Sequence, residues 1–145
     1  ERNYRSSRVI TSVDGVRPLL ERKIIKLLPA LKQELSISRA NPRRIEMQIT
    51  ASNDGDLFRR HTDNGGAASP RRLSYVYFFF EEPRRFRGGQ LCFYDRQTRR
   101  ILTIRPKNNT IVFFRSERLH EVLRVRVPSR RFAHSRFTAN GWVRA

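Results

Sequence analysis

His61 and Asp63 are separated by a single residue. On a strand or strand-like edge, residues i and i+2 project from the same face, so an imidazole and a carboxylate placed this way reach one point together. A second imidazole, His120, stands far downstream. Two imidazoles and one carboxylate are the donor set of the facial triad that holds non-haem Fe(II) on one side and leaves adjacent coordination positions open. A lone His-x-Asp carries little weight, because such tripeptides arise often by chance. The downstream residues raise its weight. His120 opens the run His120-Glu121-Val122-Leu123, and about ten residues later comes the pair Arg130-Arg131. His134, the remaining histidine, lies beside that pair and reads as outward-facing.

This order of residues resembles the iron(II)/2-oxoglutarate-dependent dioxygenases, in particular their prolyl 4-hydroxylase-like branch. Gly88-Gly89-Gln90-Leu91 and the closing Arg136-Phe137-Thr138-Ala139-Asn140-Gly141-Trp142 share in the resemblance, which covers roughly residues 45 to 145. It implies Fe(II) held by His61, Asp63 and His120, 2-oxoglutarate and O2 as cosubstrates, and ascorbate as a candidate reductant. It also implies hydroxylation of a C–H bond in a prolyl residue or a related peptide or amino acid. The same chemistry on a nucleic acid or a small metabolite is an alternative, and a non-catalytic, basic nucleic-acid-binding module is a third.

The family's basic residue holds the far carboxylate of 2-oxoglutarate. If residues 132–143 form one strand, Arg131, Ala133, Ser135 and Phe137 share a face, opposite Arg130, Phe132, His134 and Arg136. The first face sets small residues beside a guanidinium. Arg131, helped by the Ser135 hydroxyl, is therefore the expected anchor, with Arg130 as the fallback. One departure from the family stands out. Many relatives carry a Tyr on the strand after His-x-Asp that bonds the same carboxylate, whereas alignment puts Phe78 there and Tyr75 and Tyr77 on the opposite face.

The elements that must position these groups are mostly strands. Residues 46–51 alternate, 73–80 are apolar on both faces, and further short strands are expected at 90–94, 101–104, 110–114, 120–125 and 132–143. About eight short strands at close spacing argue for a sandwich or barrel. With the resemblance, the expectation is a mainly β, double-stranded β-helix (jelly-roll) core with an N-terminal helical buttress. The whole reads as a single domain, with residues 1–44 as lead-in and helix and 45–145 as β core. The helix is predicted from Val16, Leu20, Ile24, Leu27, Leu28, Leu31 and Leu35 at helical spacing. Asp14 is its expected N-cap, Pro18 suits the first turn, and Pro29 should kink or divide it. The stretch 64–70 reads as a loop beside the metal ligands.

Composition narrows the classes. A chain of 145 residues suffices for one buried core, and no apolar run is long enough for a membrane span. Cys92 is the only cysteine, which excludes an internal disulfide framework and a cysteine-rich zinc site, and a reducing, cytoplasmic setting fits best. Net charge is +18, and all but four of the 31 basic residues are arginine. They come as pairs scattered over several turns, which favours a solvated surface over a nucleic-acid groove. A peptide, protein or small-molecule substrate is the preferred partner, and oligomeric state is left open.

Overall fold

The computed structural model describes residues 4–64 and 70–145. The order of elements is β1 (Arg8–Ile10), α1 (Arg17–Glu34), β2 (Ile45–Ser52), β3 (Phe58–His61), β4 (Arg71–Phe79), β5 (Arg87–Gly88), β6 (Leu91–Tyr94), β7 (Ile101–Ile104), β8 (Thr110–Arg115), β9 (Leu119–Val122), β10 (Val125–Arg126), a short 3-10 turn (Phe132–His134) and β11 (Arg136–Arg144). A five-stranded sheet runs β1-β2-β11-β4-β8, a four-stranded sheet runs β3-β9-β6-β7, and β10 and β5 form a small ribbon. All pairings are antiparallel. This is the expected mainly β jelly roll.

Each face of the large sheet has its own work. On the outer face, Met47, Leu73, Tyr75, Ala139 and Val143 pack against Leu20, Ile24 and Leu28 of α1. Ile24 is fully buried, and a side chain of that size contributes roughly 1.5–3 kcal/mol through burial. The inner face meets the small sheet. There Phe114, with Val76 and Val112, packs on Leu91, Phe93, Ile104 and Val122. The helix thus stiffens the sheet from behind, and the strands between the sheets are left to line a cavity.

Several local expectations give way to the chain's actual geometry. Val16, not Asp14, caps α1, and its side chain makes no capping bond. Pro18 does sit in the first turn, as expected. Pro29 is accommodated within one helix spanning Arg17–Glu34, because Leu20, Ile24 and Leu28 before it and Leu31 and Leu35 after it all pack against the same core. Val16 and Leu27 of the predicted stripe stay exposed. Part of the lead-in forms β1, which pairs with β2 through Arg8, Val9 and Ile10 although all three are exposed. Of the loop expected at 64–70, residues 65–69 lie outside the described residues. The last strand begins at Arg136 rather than at 132, because residues 132–134 coil into the 3-10 turn. That shift decides which arginine enters the cavity.

Candidate active site

β3 and β9 are neighbours in the small sheet, and their register sets His61 directly opposite His120. The chain leaves β3 at His61, and Asp63 comes two residues on, its amide donating to the Ser116 carbonyl at 2.8 Å. The Nδ1–H of His61 donates to the Arg59 carbonyl (2.7 Å) and that of His120 to the Arg118 carbonyl (2.8 Å). Each imidazole is thereby oriented by the carbonyl two residues before it, and its Nε2 lone pair points inward. His61 Nε2 lies 3.5 Å from Asp63 Oδ1, and His120 Nε2 lies 3.6 Å from Oδ2. One donor atom from each of the three residues falls within 4.8 Å of the others.

The surroundings reinforce this geometry. Ser74, inward on β4, donates its hydroxyl to Asp63 Oδ2 at 2.7 Å and lies 3.0 Å from Ser116 Oγ. Phe58 stacks on His61 with ring centroids 3.6 Å apart, and Phe114 meets His120 edge-on at 4.8 Å. Burial holds the His120 imidazole below its usual pKa; the Asp63 charge opposes this, and His61 adds to it. For Asp63, burial pushes upward but is outweighed by His61 and His120, whose protonated forms favour the carboxylate, by the Ser74 hydroxyl and by the nearby Trp142 indole N–H, so its carboxyl stays below the usual range. Two lone pairs and a carboxylate crowded together repel one another unless a cation lies between them. The donor set therefore fits a divalent metal, and its nitrogen and oxygen composition suits Fe(II).

A cavity of about 270 Å³ opens from these residues into the space between the sheets. Val76, Leu91, Phe114 and Val122 form its apolar side. From β2 and β11, Gln48, Thr50, Thr138 and Asn140 form its polar side, with Thr50 donating to Asn140 Oδ1 at 2.9 Å. Arg136 enters this space fully buried. Its Nε donates to the Gly89 carbonyl at 2.8 Å, its guanidinium lies 5.0 Å from the Phe78 ring centroid, and its Nη2 has no partner among the described residues. Burial pushes this guanidinium down to about 10, so it remains charged at neutral pH. A buried cation with an unpartnered donor, on a residue that lines a cavity, is suited to seat an anion.

The structure brings His61, Asp63 and His120 together and places Arg131 elsewhere. Arg131 is exposed at the start of the 3-10 turn and does not line the cavity. Arg130 is also on the surface, with positive φ and its Nε 3.6 Å from Asp54. Ser135 is buried, yet its hydroxyl accepts a bond from Asn53 Nδ2 at 2.7 Å, away from the cavity lining. His134 points out, with Nδ1 2.7 Å from Ser129 Oγ. Parity counted from 131 through a continuous strand puts Arg136 on the solvent face; counted from the true start of β11, Arg136, Thr138, Asn140 and Trp142 face inward. Their polarity, set against Phe137, Ala139, Gly141 and Val143, is a readable signal. Phe78 does occupy the position opposite Thr138, and the Tyr75 hydroxyl is committed to the Glu46 carbonyl at 2.8 Å.

A jelly roll with a convergent His-x-Asp and distal His beside a buried cationic pocket defines a class of metal-dependent oxygenase folds. Residues 47–144 match the family model described as the 2OG-Fe(II) oxygenase superfamily, and the chain belongs to that superfamily. Over 152 aligned positions it is 42% identical to a protein of Synechocystis sp. described as an uncharacterized PKHD-type hydroxylase, covering 97% of this chain and 50% of that one. The chain thus spans half the length of that curated relative. Among solved structures, a Pseudomonas putida prolyl-4-hydroxylase superposes with a TM-score of 0.73 at 22% identity, covering 99% of this chain and 74% of the other. A Trichoplax adhaerens prolyl hydroxylase, solved with a hypoxia inducible factor peptide fragment, gives 0.74 at 16% identity, covering 99% and 65%. At these identities the two structures establish the fold.

Proposed function

We propose that this chain is an Fe(II)- and 2-oxoglutarate-dependent hydroxylase acting on a prolyl residue or a related position in a peptide. One observation carries this reading: three inward-facing metal donors and a buried, half-satisfied arginine line one cavity. His61, Asp63 and His120 would hold the metal, and Arg136, in place of Arg131, would hold the far carboxylate of the cosubstrate. When bound, iron, 2-oxoglutarate and O2 supply oxidation of a C–H bond to an alcohol, with 2-oxoglutarate converted to succinate and CO2.

The protein's own contribution is positioning and exclusion of water. The Arg59 and Arg118 carbonyls keep both imidazoles in the donor tautomer. Ser74 holds the Asp63 carboxylate in place. The Val76, Leu91, Phe114 and Val122 wall keeps the space beside the triad dry. Phe78 offers the cosubstrate no hydroxyl, so Arg136 and the neighbouring polar side chains must supply its hydrogen bonds. A peptide substrate fits the cavity's open mouth, and the peptide-bound Trichoplax relative supports that choice over a free metabolite. Ascorbate would serve only to keep iron reduced. Among the described residues no helix is long and apolar enough to cross a membrane.

The test is succinate release with Fe(II), 2-oxoglutarate and ascorbate, with and without a panel of proline-containing peptides, followed by mass measurement of the peptide. Peptide-stimulated succinate is expected, with a gain of about 16 daltons, the mass of one inserted oxygen atom. Stimulation by oligonucleotides alone would move the substrate to another class and leave the iron chemistry standing.

A further inference from the structure

We propose that the substrate polypeptide carries acidic side chains close to the oxidised residue, and that these dock in a second, cationic cavity beside the catalytic one. This inference rests on the hydroxylase reading and names the kind of peptide that site accepts. The second cavity has a volume of about 400 Å³, and its walls include Arg39, Arg71, Arg72 and Arg115. Arg71 also lines the catalytic cavity, so the two spaces share a wall. Asn64, next in sequence to Asp63, belongs to the second cavity as well.

The charges there are arranged and incompletely compensated. Nη1 of Arg115 donates to the Leu35 and Ser36 carbonyls at the end of α1 (3.2 and 3.3 Å), which fixes that side chain in place. Glu117 is the one acidic residue in the described lining, and Arg115 already holds it at 2.8 Å. Arg71 is engaged by Glu46 at 2.6 Å and stacks on Trp142 at 3.6 Å. The side chains of Arg39 and Arg72 have no ion pair or hydrogen bond among the described residues. Gathering like charges in a concavity is unfavourable on its own, and low-dielectric walls focus the resulting field on an incoming anion. Guanidinium groups match a carboxylate bidentately.

A polypeptide is favoured over a nucleic acid by the shape of the charge. An extended chain advances roughly 3.3–3.6 Å per residue, so a peptide whose target sits by the triad sets its next few side chains past Arg71 and into the second cavity. A polynucleotide needs a continuous cationic track with exposed aromatic platforms. The described lining of the second cavity holds no aromatic ring, and Trp142, the ring against Arg71, belongs to the catalytic cavity.

The experiment compares fluorescein-labelled proline peptides bearing glutamate, glutamine or lysine at the positions flanking proline. Fluorescence anisotropy reads their binding to the whole chain and to an Arg39→Glu/Arg72→Glu double variant whose fold is checked by circular dichroism. The glutamate peptide should bind at least about tenfold tighter than the glutamine peptide at low salt, and added salt should erase the difference. In the double variant the order should reverse, with the lysine peptide ahead. Equal affinities for all three peptides, an unchanged order in the variant, or stronger binding of a single-stranded oligonucleotide overturns the proposal. Anisotropy needs no turnover, so failure of the hydroxylase reading appears separately, as absence of succinate with every peptide.

Discussion

The two ends of the catalytic cavity are built on opposite plans. At the triad end, the supporting atoms have partners: both imidazole Nδ1 groups on carbonyls, the Asp63 amide on Ser116, and the carboxylate on Ser74. At the other end, Arg136 is secured through one bond to Gly89 and one ring face, and Nη2 is left unpartnered among the described residues in a buried position. The first plan fixes geometry in advance, so a metal of the right kind meets donors already aimed at it. The second stores an unmet charge that only an anion completes. Under the proposed function, stiffness and selectivity fall to different ends: the triad would select by shape and Arg136 by charge.

The sharpest way to break that contrast is at the triad. His61→Ala, Asp63→Ala or His120→Ala should abolish both metal binding and succinate formation while circular dichroism still reports the β fold. Calorimetric titration with Co(II) or anaerobic Fe(II) checks it, and a His120→Ala protein with full metal occupancy would refute the assignment.

At the opposite end, Arg136→Ala should raise the 2-oxoglutarate requirement more than about a hundredfold, since losing one partner of a buried ion pair costs about 3–5 kcal/mol. Arg131→Ala should change it by less than about twofold, as expected of an exposed side chain. The charge sets the sign of the pH dependence. The guanidinium is cationic below about 10, so cosubstrate affinity should be flat across the neutral range and fall as pH rises through that value. Initial rates against 2-oxoglutarate concentration decide all three points.

Smaller effects sharpen the comparison. Ser74→Ala should leave the imidazoles in place yet loosen the carboxylate, lowering metal affinity about ten- to hundredfold. Ser74→Thr, which keeps the hydroxyl, should restore most of it. Were Ser74→Ala to alter the 2-oxoglutarate requirement and not metal affinity, the division of labour between the two ends would fail.

The triad is legible in the sequence because it depends on short-range rules. The i, i+2 spacing survives small errors in strand boundaries, and His120 needs only to lie on a neighbouring strand. A β sandwich or barrel is legible in the many short, closely spaced strands, and the resemblance carried by the motif residues narrows it to a jelly roll. Arg136 is hidden by a local event. Arg130 takes positive φ and residues 132–134 coil, so parity carried across that segment inverts every side chain after it. β1 is hidden because Arg8, Val9 and Ile10 are exposed, and backbone pairing with β2 alone makes them a strand. The predicted N-cap of α1 fails because packing of Leu20, Ile24 and Leu28 sets the helix start more strongly than Asp14 can.

Gly89 and Arg136 lie 47 residues apart, yet they act as a single unit. Gly89 has φ of +66°, and a Cβ there would stand 2.5 Å from Arg136 Cδ. Any side chain at 89 must therefore displace the very carbonyl and guanidinium that meet at that point. With Arg136 in its proposed role, a substitution at 89 alone would weaken capture of 2-oxoglutarate while leaving the three metal donors untouched.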